Sequence, residues 1–125
     1  MKNFIIISIA FWCTIYFVQA EPVSKEQARN LAVAWYKHIA PSSVNDYTVK
    51  ADHAEEFENL ITFYTFEFQS GGFVIVAADD ASLPVLGYSE VNSFSPEVTC
   101  PAVRDWLDDY SWQISQIRIL QGLYL

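Results

Sequence analysis

Residues 70–89, SGGFVIVAADDASLPVLGYS, restrict the fold more than any other stretch of the chain. Ser70-Gly71-Gly72 is a turn signal, because adjacent glycines supply the φ > 0 conformations of a tight reversal. Phe73-Val74-Ile75-Val76-Ala77 follows, rich in β-branched side chains. That run is too short for a typical helix and suits a strand buried on both faces. Asp79-Asp80 stops it, and Leu83-Pro84 leads into a second apolar segment, Val85 to Tyr88. Before the turn lies LITFYTFEFQ, Leu60 to Gln69, a long strand candidate. Alternate residues from Leu60 to Phe68 can share one face, while Phe63 keeps the other apolar too. The expectation is a hairpin at the centre of an antiparallel sheet that needs cover on both sides.

Two helical patterns can supply that cover. Ser24 with Gln27 makes a capping box, and Ala28, Leu31, Ala32, Trp35, Tyr36 and Ile39 recur at helical spacing up to Pro41. His38 falls at the C-terminal end, where a cation suits the helix dipole. Thr99-Cys100-Pro101 opens the second pattern, with Thr99 as cap and proline in the first turn. Its apolar stripe is Val103, Trp106, Leu107, Tyr110, Ile114, Ile117 and Leu120, and Gly122 is its expected end. Between the first helix and the hairpin, Tyr47 to Ala51 reads as a short strand. Glu55 to Asn59 reads as a charged loop or frayed edge. Asn92-Ser93 and Ser95-Pro96 are turn chemistry around an inward Phe94. The fold class is α+β: an antiparallel sheet of three or four strands covered by an N-terminal and a C-terminal helix.

The first twenty residues stand apart. Lys2 is followed by the apolar run Phe4 to Val18, then by Val18-Gln19-Ala20 and the polar Glu21-Pro22. This is the pattern of a secretory signal peptide, with cleavage expected after Ala20. The run is about 15 residues, short of the roughly 20 that span a bilayer. The expected division is residues 1–20 as signal peptide and 21–125 as one domain, secreted or periplasmic, with no stable membrane anchor after cleavage. A net charge of −8 excludes nucleic acid as a partner. Only Cys100 would survive cleavage, so no internal disulfide is available. It is expected as a small buried residue at a helix entrance.

Reactive chemistry is not legible. Cys100 with His38 or His53 meets the composition of a nucleophile and base but matches no nucleophile motif. His53 beside Asp52 and Glu55 lacks the third or fourth convergent ligand of a metal site and is expected in a solvated loop. Asp79-Asp80 reads as a turn, since adjacent strand-end residues point apart. No catalytic residue, metal or cofactor is expected.

The run Gly71-Gly72-Phe73-Val74-Ile75-Val76, then Asp79, Pro84, Leu86-Gly87-Tyr88-Ser89 and Phe94, resembles the propeptides of streptopain-type cysteine proteases and the stand-alone Spi-type inhibitors similar to them. The resemblance continues more loosely through both helices. It implies a non-enzymatic inhibitor of a secreted or periplasmic streptopain-like cysteine protease that blocks the active site sterically. The protease-contact candidates are the turns on either side of the family-like strand: Gln69, Ser70, Gly71 and Gly72, and Asp79 and Asp80. Rigid turns on a sheet are favoured places for binding residues. Alternatives are the propeptide portion of a truncated protease precursor and a binding module without inhibitory activity. An enzyme using Cys100 is a third.

Overall fold

A computed structural model describes residues 22–95 and 100–123. The segment expected as a signal peptide, and the cap expected at Thr99, lie outside the described residues. Ser24 caps α1 (Lys25–Ile39) through the full capping box: its hydroxyl accepts from the Gln27 amide at 3.1 Å, and the Gln27 side chain accepts from the Ser24 amide at 3.0 Å. Four strands follow, β1 (Val49–Phe57), β2 (Leu60–Phe68), β3 (Phe73–Ala77) and β4 (Val85–Ser89), and then α2 (Pro101–Leu123). The strands form an antiparallel meander in sequence order. Short connections allow only that arrangement, because parallel pairing needs long crossovers.

The period of two along β2 and β3 divides their side chains between two cores. Tyr64, Phe66, Phe68, Val74 and Val76 face α1 and pack with Ala28, Ala32 and Tyr36. Two alanines on the inner face let α1 approach closely, and the Tyr36 ring stacks on Phe68 at 3.8 Å between centroids. Phe63, Ile75, Ala77 and Leu86 lie on the opposite face against Leu107 and Ile114 of α2. There the buried hydroxyls of Thr62 and Ser111 satisfy each other across 2.9 Å. Both faces being covered has a measurable consequence. Ile75→Val and Val76→Ala, one on each face, should each destabilise by about 1–2 kcal/mol in denaturant melts. A neutral result for either would mean that its face is open.

Four features depart from the sequence expectation. The charged segment around Asp52 to Phe57 is strand rather than loop, and its pairing with β2 extends from Val49 to Phe57. The reversal uses Glu58 and Asn59, with φ of 49° and 65°. Two successive left-handed residues match the twist of a two-residue hairpin, but Glu-Asn is not the usual Asn-Gly signature. α2 continues past Gly122 to Leu123. Of its expected stripe, Leu107 and Ile114 are buried, whereas Val103, Trp106 and Leu120 remain exposed. Cys100 is also exposed, not buried.

The outer strand β1 carries charge that α1 and α2 meet from opposite faces. Asp52 takes Lys25 at 2.6 Å and Arg29 at 3.0 Å from α1. The Lys25 hydrogen bond, more than any other influence, holds the Asp52 carboxyl below the usual carboxylate range. Glu55 takes Arg104 of α2, which also binds Asp108. Those two carboxylates raise the already high pKa of the guanidinium, Glu55 foremost. His53 is therefore not in a solvated loop: it is half-buried on β1, with Nε2 3.1 Å from Glu55.

Candidate functional site

The two turns singled out from sequence are both well braced. In the β2–β3 turn, Phe68 donates to the Gly72 carbonyl and Gly71 donates to the Phe68 carbonyl, each at 3.0 Å. Gly71 and Gly72 have φ of 98° and 91°, which side-chain-bearing residues rarely adopt. Outer ties hold the turn from two directions. The Tyr36 hydroxyl donates to the Gly71 carbonyl at 2.7 Å. The Gln69 amide donates to the Thr48 carbonyl, and the Ser70 hydroxyl to the Asp46 carbonyl, both at 2.9 Å. Asp46 is itself fixed by Thr48, whose hydrogen bonds hold that carboxyl below its ordinary range. Gln69 and Ser70 are exposed, Gly71 is half-buried, and Gly72 is buried. The glycines shape the turn, and the two polar residues before them are its accessible part.

In the β3–β4 connection the adjacent aspartates separate completely. Asp80 is exposed, but Asp79 is buried, so the expectation of an exposed pair is corrected for Asp79. The Asp79 carboxylate forms an ion pair with Arg118 of α2 and also accepts from the Ala81 amide at 2.9 Å. Arg118 further donates to the Ala78 carbonyl at 2.9 Å. The same carbonyl accepts from Val23 at 2.8 Å, and Pro22 forms a bridge with Asp79. The start of the described chain and the end of α2 thus meet at the end of β3. Asp79 positions the turn, and Asp80 is presented by it. Sequence reasoning missed this role for Arg118, because its position near a helix end also fits the helix dipole.

Between the turns runs β4, the outer strand on this side of the sheet. Its Tyr88 side chain is exposed and meets Trp35 edge-on at 5.9 Å. On the other face Trp106 lies over Gly87, where a Cβ would come within 3.3 Å of the indole. Phe73, Phe94 and Val103 help to line a neighbouring cleft of about 380 Å³. As expected, Phe94 turns inward, its ring 5.4 Å from Phe73 and its amide donating to Glu67 at 2.7 Å.

None of these features, among the described residues, brings together a nucleophile and a base. Among the described residues, no three His, Cys, Asp or Glu side chains converge as a metal site. Cys100 is at the start of α2, His38 is exposed on α1, and His53 is tied to Glu55 on β1. No helix among the described residues is long and apolar enough to cross a membrane. No curated protein matches the chain. The model of the Spi protease inhibitor family matches residues 20–114, and the chain, three-quarters of which lies within that match, belongs to this family.

Proposed function

We propose that the chain inhibits a secreted or periplasmic streptopain-like cysteine protease by occupying or deforming its catalytic cleft. Membership of the Spi protease inhibitor family makes the chain an inhibitor rather than an enzyme, with a protease as its partner. The likeness of residues 71–94 to streptopain propeptides supports the narrower choice of target. Steric blockage needs no catalytic residue. It needs a surface that is already ordered, since a preordered loop loses less entropy on binding. The bracing of the β2–β3 turn by Tyr36, Thr48 and Asp46 carries this part of the reading.

Of the six contact candidates, Gln69, Ser70 and Asp80 are exposed. Ser70→Arg and Asp80→Arg add bulk and charge without requiring a new backbone conformation. A turn that enters the cleft should lose inhibition at least about tenfold in its Arg variant, equivalent to 1.4 kcal/mol of binding. The melting midpoint of Asp80→Arg should stay close to the parent's, and Ser70→Arg should lose only the bond from its hydroxyl to Asp46, about 1 kcal/mol. The measurement is residual streptopain activity against inhibitor concentration, with a papain-type protease alongside. Full inhibition by both variants would place the contact elsewhere.

Export is part of the same reading. The apolar run before Val18-Gln19-Ala20 supports cleavage after Ala20. The mature chain should begin at Glu21 when the exported form is sequenced from its N-terminus. A chain that keeps Phe4 to Val18 and stays with the membrane fraction would overturn it.

A further inference from the structure

The two edges of the sheet are built differently. β1, VKADHAEEF, carries Lys50, Asp52, Glu55 and Glu56, the charged side chains that keep an edge strand from pairing with other chains. β4, VLGYS, contains no charge and no proline. Its pairing with β3 is irregular only near Val85, at the shift between Ile75 and Val76. From Gly87 to Ser89 it remains in register with Ile75, Val74 and Phe73. Among the described residues no further strand pairs with β4, so its outward backbone groups are a template for one more strand, without the charge or proline that commonly refuses it.

Both sides of that edge are prepared for side chains. Tyr88 pairs with Val74, which belongs to the α1 face, and stands exposed beside Trp35. Gly87 pairs with Ile75 on the α2 face and leaves room for Trp106. A strand added to β4 would send alternate side chains to the Trp35–Tyr88 side and to the Trp106 cleft. Several large exposed apolar side chains follow the same asymmetry. Leu83, Tyr88, Val91, Val103 and Trp106 lie on β4, its flanks or the adjoining start of α2; the other exposed large apolar side chains among the described residues are Ile61 on β2 and Trp112, Ile119 and Leu120 further along α2.

We infer that the outer edge of β4 takes up an extended segment of the target protease as an additional strand. The inference rests on the reading of this chain as a protease inhibitor. A protease cleft is built to engage extended backbone, and strand addition uses that chemistry, with main-chain hydrogen bonds for affinity and alternate side chains for specificity. β4 is also continuous with the proposed contact surface. Asp80 lies in the connection that leads into it, and a Cβ at Gly72 would run into Ser89 at its end. A second copy of this chain is the competing occupant. A net charge of −8 on each copy opposes that pairing.

The test is hydrogen exchange of the exported chain, alone and with streptopain whose catalytic cysteine is replaced by alanine. Amides of residues 85–89 that exchange freely in the inhibitor should slow at least about tenfold in the complex. In parallel, Tyr88→Lys should weaken inhibition of active streptopain about tenfold or more. Ala51→Lys, which adds the same charge to the β1 edge, should leave it within about twofold. If Tyr88→Lys does not fold, exchange in the parent chain decides alone. A complex that forms with unchanged exchange in β4 overturns the edge and leaves the inhibitor reading intact. Failure of streptopain to bind at all overturns the choice of target and the edge with it. Dimers of the chain alone, with β4 already protected, would assign the edge to a second copy and overturn the inference.

Discussion

Arg118→Met should destabilise the domain by about 3–5 kcal/mol, because it leaves a carboxylate buried without its partner. The Asp79 side chain is fully buried, and the guanidinium is 19% exposed. Asp79 has a remaining tie to the Ala81 amide, which does not replace a counter-charge. The loss should reach beyond the pair. Arg118 also binds the Ala78 carbonyl, beside the bridge that holds Pro22 and Val23. Asp79→Asn keeps the acceptor for Ala81 and removes the charge. The double variant Asp79→Asn/Arg118→Met should therefore be more stable than Arg118→Met alone. Urea midpoints for the cycle measure the coupling. If Arg118→Met lies within about 1 kcal/mol of the parent, the pair is not the latch described above.

Gly72→Ala should cost about 3 kcal/mol or more, or leave no cooperative transition, by straining a backbone position that has no room to relax. Two penalties combine. With φ at 91°, a side chain is strained whatever surrounds it, and the new Cβ would collide with the Ser89 carbonyl and lie 2.8 Å from that of Glu90. Those atoms are the backbone at the end of β4, so they cannot rotate away. Gly71→Ala separates the two penalties. It has a similar φ of 98°, but its nearest neighbour would be the Val91 carbonyl at an ordinary 3.5 Å. Its loss should be the conformational part alone, about 1–3 kcal/mol. Equal midpoints for the two alanine variants would show that the close approach of β4 to the turn contributes nothing.

The sequence alone determined those parts of the protein that depend on local periodicity and local geometry. Val74 and Val76 against Phe73 and Ile75 assigned the two faces of β3, because the side-chain period of a strand is two. Ser24 with Gln27 marked the start of α1, and the paired glycines marked the central reversal. The likeness to Spi-type inhibitors rested on the same short segment. Tertiary structure decided what depended on a distant partner. Asp52 to Phe57 looks like solvated loop until Lys25, Arg29 and Arg104 neutralise its charges and β2 supplies its ladder. Asp79 and Asp80 are identical by composition. Only the return of α2, bringing Arg118 from 39 positions along the chain, makes one a buried anchor and leaves the other at the surface. Burial of a charge requires a counter-charge in three dimensions, and sequence spacing does not reveal where a helix will cross a sheet.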